Sequence, residues 1–265
     1  MSTTSPAVGR ALDVLQYLAG RAGPVTAAAV IRETGIPRSS AYHLLEVLVD
    51  RGFVVYLPDQ RAYAIGVATF EIGSAYLRHE PLERLARPIL KQLTATVSET
   101  AHLGILHGAE SVYLLKEQPS SSRVPVTLVT DVGVRLPGHL TANGRSILAH
   151  LPPAQIRALF PNADSFITRT GTGPANLAAL RATLRSERQQ GWSEEVGLIT
   201  EGLRSVAACA FDHTGRPCAG FSVTHRAERS TAPRPALIAA VRVAAHKLTQ
   251  ALSGVEPRDW YADAR

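Results

Sequence analysis

The sequence predicts an α+β protein in two parts: a short run of helices ending in a hairpin, then a longer part that lays helices on a curved antiparallel sheet. Three observations predict it. Apolar residues in the first fifty positions recur at three- and four-residue spacing. A β-branched and aromatic hairpin pattern follows directly at Phe53 to Ile65. Beyond Thr100 the period changes to strands, helices are interspersed, and a second hairpin closes the set.

Met1 to Val8 shows no periodicity and is expected as a tail. Arg10 to Gly20 makes the first helix, with Ala11, Val14, Leu15 and Leu18 on one face. Thr26 is a natural N-cap for a short second helix, Ala27 to Thr34. Gly35 sits where that helix stops in the left-handed conformation, and Pro37 suits the first turn of the next. In this third helix Ala41, Leu44, Leu45, Leu48 and Val49 form an apolar face. Arg38 and Tyr42 are four apart, as are Ser39 and His43, so they point together into solvent at the amino end. Arg51-Gly52 ends the helix, Phe53 to Leu57 reads as a strand, Leu57-Pro58-Asp59-Gln60 has turn chemistry, and Ala62 to Ile65 returns. Helix, glycine corner, helix and hairpin describe a winged helix-turn-helix, which pushes the amino end of its second helix into a major groove. Arg61 at the hairpin tip is either an exposed turn arginine or a contact to phosphate or a narrow minor groove.

Val67 to His79 reads as a linker helix with Val67, Phe70, Leu77 and the small pair Gly73-Ser74 on a helical repeat. Such a stripe must be buried on something, and in a DNA reader that is often the twin subunit. Leu82 to Val97 is a further amphipathic helix with Leu85, Ile89 and Leu93 inward and a break or kink expected at Pro88. Strands are expected at Ala101 to His107, Ser111 to Glu117 and Arg123 to Val129, and helices at Thr141 to Leu151, Pro153 to Phe160 and Ala175 to Gln190. Thr168 to Pro174 reads as a loop. Ser205 to Phe211 and Pro217 to Thr224 form a hairpin about Asp212 to Gly215, Ala236 to Leu252 is the last helix, and Glu256 to Arg265 shows no periodicity. The implied domains are 1–66 (winged helix-turn-helix), 67–81 (linker), 82–254 (α+β domain) and 255–265 (tail).

The chain has 265 residues, 45% of them hydrophobic, and a formal net charge of +6. No apolar run reaches membrane length and the N-terminus has no signal-type apolar segment, so a cytoplasmic protein without a membrane partner is expected. In residues 1–67 the arginines at 10, 21, 32, 38, 51 and 61 are nearly matched by Asp13, Glu33, Glu46, Asp50 and Asp59. Placement of charge, not its total, therefore supports a double-stranded DNA partner. Cys209 and Cys218 form no Cys-x-x-Cys pair, so they read as small buried strand residues, with a redox pair flanking the hairpin turn as the alternative. Zinc and other cofactors are not expected, and the common catalytic and phosphate-binding signatures are absent. An enzyme would have to use His102, His107, His139 or Glu195, and nothing in their spacing joins them. In the closing hairpin Ser222 and Thr224 are two apart and share a strand face, read here among apolar neighbours of the Val206, Ala208 and Phe221 type. They either bond neighbouring backbone or orient a small polar ligand.

Several blocks, in order and at matching intervals from Arg10 to about Ser253, resemble the IclR family of bacterial transcription regulators. They are Gly9 to Leu15 (GRALDVL), Gly35 to Leu45 (GIPRSSAYHLL), Tyr63 and Gly66 at the hairpin exit, Gly133 to Arg145 (GVRLPGHLTANGR), Gly191-Trp192 with Glu194-Glu195, and Gly202 to Ala208 (GLRSVAA). Tyr42 and Asn143 fall at positions that vary within the family. The resemblance implies that Arg38, Ser39, Ser40, Tyr42 and His43 face DNA. It implies a GAF-like effector domain whose pocket is lined by Glu195, Leu203, Ser205, Ser222 and Thr224. Arg135 and His139 can supply charge there, or His139 is structural and orients its loop. It also implies a homodimer or dimer of dimers and a metabolite-controlled regulator, acting as a repressor, with an activator as the alternative. A small carboxylate is the usual ligand, and Glu195 is awkward for it unless that residue binds hydroxyls or a cationic group.

Overall fold

The computed structural model describes residues 5–79, 81–119, 130–228, 230 and 232–257, in two units, Met1–Glu80 and Pro81–Arg265. The strand expected at Arg123 to Val129 and most of the C-terminal tail lie outside the described residues.

The first unit opens with α1 (Pro6–Ala19), which starts ahead of the expected helix because Pro6, in the first turn, gives up no useful amide there. Next come β1 (Val25–Thr26) and α2 (Ala27–Thr34), capped by the Thr26 hydroxyl accepting from the Ala29 amide at 3.3 Å. Gly35 ends α2 at φ 66° and donates to the Ile31 carbonyl. After the corner run α3 (Arg38–Asp50), β2 (Val54–Leu57), a single 3₁₀ turn at Pro58–Gln60, β3 (Ala62–Ile65) and α4 (Val67–His79). Val14, Leu18, Val30, Ile36, Ala41, Leu45, Leu48 and Val54 make the buried core. The hairpin gains a third strand that sequence did not show, because β1 is only two residues long and pairs Val25 with Tyr63 and Thr26 with Ala62.

The second unit contains α5 (Pro81–Val97), β4 (Thr100–His107), β5 (Glu110–Glu117), β6 (Arg135–Pro137), α6 (Ala142–Leu148), α7 (Pro153–Leu159), α8 (Leu177–Gln190), β7 (Ser193–Val196), β8 (Leu203–Phe211), β9 (Pro217–Arg226) and α9 (Arg234–Ala251). Its strands form one antiparallel sheet in the order β6-β5-β4-β9-β8-β7. The short edge strands β6 and β7 were not foreseen. Helix α5 runs unbroken through Pro88. That proline is exposed, so the carbonyl it leaves without an amide partner can be met by water, while Ala86, Leu90, Leu93 and Val97 hold the helix to the core on its other side.

Alternation divides the sheet. Val206, Ala208, Phe221 and Val223 join Leu237, Val241 and Leu248 of α9 and Leu90 and Leu93 of α5 in the main core. The intervening residues Ser205, Ala207, Ser222 and Thr224 point the other way, toward α6. Val206, Ala208 and Phe221 are therefore not the neighbours of the two hairpin hydroxyls, as first read. They lie on the opposite face.

Candidate functional sites: a helix face and a polar cavity

The first site rests on α3. Burial of Ala41, Leu45 and Leu48 fixes its rotation, and Arg38, Ser39, Tyr42 and His43 are then exposed while Ser40 is half-buried. The Arg38 guanidinium carbon sits 5.9 Å from the Tyr42 ring centroid, and His43 Nδ1 is 4.0 Å from Glu46 Oε2. No side chain caps the amino end, so the first-turn amides stay open.

The wing is anchored at its base. Gly66 donates to the Phe53 carbonyl at 2.8 Å and Ala68 to the Gly52 carbonyl at 3.1 Å. A Cβ on Gly66 would lie 2.2 Å from Gly52 O, so only glycine lets the wing exit pass the helix end. Along the hairpin Tyr56 pairs with Tyr63, their rings 4.9 Å apart. At its tip Arg61 is exposed and left-handed, φ 47° and ψ 42°, a conformation that costs a residue with a Cβ about 1 kcal/mol.

The second site is a cavity on the α6 side of the larger sheet. Cross-strand register assembles it: Glu195 pairs with Ser205, Ser205 with Thr224, and Ala207 with Ser222, so residues from β7, β8 and β9 line up in rows. Glu195, Leu203, Ser205, Ser222 and Thr224 all line it. The remaining wall comes from Tyr113 and Thr130, from Leu136, Thr141, Ala142 and Asn143 at the head of α6, and from Ile199 and Thr200. About 20 Å³ is open to the centre of a water molecule, room for one or two waters.

Glu195 is 2% exposed, and its Oε1 accepts the backbone amides of Leu198 at 2.5 Å and Ile199 at 3.1 Å. Burial raises its pKa above the usual carboxylate range even against those bonds and the charge of Arg145. Ser205 Oγ and Thr224 Oγ1 are 3.0 Å apart. Asn143 donates through Nδ2 to the Gly220 carbonyl at 2.8 Å and to Ser222 Oγ at 3.4 Å, while its Oδ1, wholly buried, has no partner. The amide lies flat on the sheet because Gly104 and Gly220 carry no side chain: a Cβ on either would come within 2.7 and 3.0 Å of that Oδ1. Sequence reasoning noted Asn143 only as a variable position and did not place it in the pocket, because its setting depends on two glycines distant in the chain.

Behind the wall, Arg145 (2% exposed) ties four segments together. Its Nε donates to Glu187 Oε1 at 2.9 Å, Nη1 to the carbonyls of His139 and Leu140, and Nη2 to the Glu194 carbonyl. Glu187 in turn accepts from Ser193 Oγ at 2.9 Å. Burial lifts the Glu187 pKa above its ordinary value despite the guanidinium beside it.

Arg135 and His139, expected to bring charge to the cavity, are elsewhere. Arg135 is exposed on edge strand β6 and binds Glu110 Oε2 at 3.2 Å and His107 Nδ1 at 3.1 Å. His139 is buried between Phe160 and Phe166, donates from Nε2 to the Ile167 carbonyl at 3.0 Å, and is held neutral by burial. His102 has a third environment. Its Nε2 meets Thr130 Oγ1 at 3.0 Å, and burial, then Lys116, lowers its pKa to about 3. His102, His107 and His139 thus have different partners. Cys209 and Cys218 are both free, and each thiol donates to the Ala210 carbonyl. Burial pushes the Cys209 pKa well up, which suppresses the thiolate a redox switch needs.

Residues 7–58 match the IclR helix-turn-helix domain, and residues 74–250 match the C-terminal domain of bacterial transcriptional regulator IclR. The transcriptional repressor IclR of Escherichia coli is 27% identical over 261 residues, covering 95% of this chain and 94% of that protein. A crystal structure of an IclR-type regulator from Silicibacter sp. TM1040 superposes with a TM-score of 0.81 at 24% identity, covering 96% and 99% of the two chains. A crystal structure of an IclR homologue from Microbacterium hydrocarbonoxydans, complexed with 4-hydroxybenzoate, superposes with a TM-score of 0.76 at 22% identity, covering 93% and 98%.

Proposed function

The chain belongs to the IclR family of bacterial transcription regulators, and from that premise we propose that it is a metabolite-controlled repressor that reads a near-palindromic operator through α3 and the wing. Within this reading residues 1–66 bind DNA, 67–81 link, 82–254 bind the effector and 255–265 form a tail. The carrying observation is the exposed cluster Arg38, Ser39, Tyr42 and His43 at an uncapped helix end, flanked by an arginine-tipped wing. Arg38 and His43 supply base-edge and phosphate contacts, Ser39, Ser40 and Tyr42 fill the groove face, and Arg61 reaches the backbone or minor groove. Repression accords with the Escherichia coli relative, a transcriptional repressor.

Two copies are needed to read a two-fold operator, with recognition helices about 34 Å apart. Val8 and Leu12 on α1 and Val67, Phe70 and Ile72 on α4 are exposed apolar residues that self-association would cover. The homodimer, or a dimer of dimers, acts in the cytoplasm and without turnover. The cavity holds the effector; the Microbacterium homologue, of the same fold, is complexed with 4-hydroxybenzoate. The ligand changes operator affinity by the difference in its binding free energy between domain arrangements.

Arg38→Ala and His43→Ala test the DNA face. Each lowers specific operator affinity by about 1–3 kcal/mol at fixed salt while leaving folding intact, and unchanged affinity in both sinks the assignment. Ser222→Ala with Thr224→Val tests the cavity: it abolishes ligand-induced thermal stabilisation and spares DNA binding.

A further inference from the structure

We infer that the cavity, which must widen from its present room for one or two waters to admit a ligand, selects a small, neutral, hydroxylated molecule, such as a short sugar alcohol, and rejects the corresponding carboxylate, with Glu195 as the residue that sets this preference. The inference deepens the effector-site reading above and rests on it.

Three observations carry it. The polar residues lining the cavity are Glu195, Asn143, Tyr113, serines and threonines; among the described residues no arginine, lysine or histidine lines it. The nearest buried cation, Arg145, is committed to Glu187 and to three backbone carbonyls, and Lys116 lies 3.8 Å from Asp131, so neither is left to balance an anion. The third observation is an acceptor on the wall with an oxygen to spare. Glu195 spends Oε1 on two backbone amides, which leaves its second oxygen to Ser205 and the ligand.

A ligand hydroxyl satisfies such an acceptor as donor and can accept from the serine and threonine hydroxyls with its own lone pairs. A carboxylate offers no donor and sets a second negative charge beside the buried Glu195. At partly screened protein interiors that repulsion corresponds to discrimination on the order of 100-fold or more. The same carboxyl holds the Leu198–Ile199 backbone, and Ile199 and Thr200 form part of the wall, so a ligand hydroxyl at Glu195 is sensed by the segment that closes over it.

The test uses the full-length protein and matched pairs of probes, sugar alcohols of three to five carbons and the aldonates of equal length, read by thermal shift and calorimetry at pH 7.5. Wild type is stabilised by at least one alcohol and binds its aldonate at least about tenfold more weakly. Glu195→Gln, which keeps shape and removes charge, narrows that gap at least about tenfold. Glu195→Asp, which keeps the charge, preserves the preference and stands in should the glutamine variant fail to fold. An aldonate that binds wild type as tightly as its alcohol overturns the inference while leaving the effector site intact. Silence of the whole panel, with operator binding normal, overturns the effector-site reading and the inference together.

Discussion

Arg145→Met is the sharpest test of how the cavity is held in shape. The substitution keeps length and apolar contact, removes the guanidinium, and leaves Glu187 at 6% exposure facing no cation. The carbonyls of His139, Leu140 and Glu194 lose their donor as well. Breaking one partner of a buried ion pair costs about 3–5 kcal/mol. In a unit of this size that is a fall on the order of 10 °C in its thermal midpoint. The pH dependence follows from the direction of the Glu187 shift. Burial already raises its folded pKa, and removing Arg145 takes away the largest opposing influence, so the charged carboxylate is penalised more strongly in the folded state. That penalty is full above the folded pKa and fades as pH falls toward the unfolded value, so the variant is weakest near pH 7 and recovers part of its loss by about pH 5. The double variant Arg145→Met/Glu187→Leu, with no stranded charge, recovers at least about 2 kcal/mol. Circular-dichroism melts of all three proteins at pH 5 and pH 7 decide it. A single-variant loss below about 1 kcal/mol, or a double variant no better than the single, refutes the view that this pair organises the cavity wall.

Two further substitutions probe backbone positions. Arg61→Gly relaxes the left-handed residue at the wing tip and raises the stability of the DNA-binding unit by about 0.5–1 kcal/mol. It also weakens operator binding and reduces the salt dependence by about one phosphate contact; chemical denaturation and binding titrations at several salt concentrations should move in opposite directions. Gly104→Ala drives a Cβ to 2.7 Å from Asn143 Oδ1 and destabilises by about 1–3 kcal/mol. Adding Asn143→Ala removes the clash, so melts of the double variant should show at least half of that loss restored.

The helix-turn-helix was legible because its signals are local. Gly35, Pro37 and the spacing of Ala41, Leu45 and Leu48 fix the corner and the buried face, which leaves Arg38, Tyr42 and His43 outward without reference to any distant residue. The cavity was legible only in part. Ser222 and Thr224 are related by strand period, but which apolar residues flank them is decided by cross-strand register, and that register puts Ser222 opposite Ala207 and sends Val206 and Phe221 to the core. Arg135 and His139 read as charges near a binding loop. Their partners, Glu110 and the Ile167 carbonyl, lie 25 and 28 residues away and could not be read from spacing. Strands β1, β6 and β7 have two to four residues each, too few to display a period.

The charge distribution separates the tasks of the two units. Residues 1–80 carry seven lysines and arginines against seven aspartates and glutamates, so the whole surplus of six lies in residues 81–265. A DNA-binding unit with no net charge gains little from the general field of the phosphates, and α3 itself places Glu46 and Asp50 on the helix that carries Arg38 and His43. Weak non-specific attraction leaves discrimination to the few groups that reach base edges. The cavity also carries no cation among its described lining residues, so there too recognition depends on hydrogen-bond geometry more than on attraction between opposite charges. Because a shift in domain arrangement moves hydrogen-bond partners by distances that matter while hardly changing a long-range field, a regulator built in this way responds to small rearrangements.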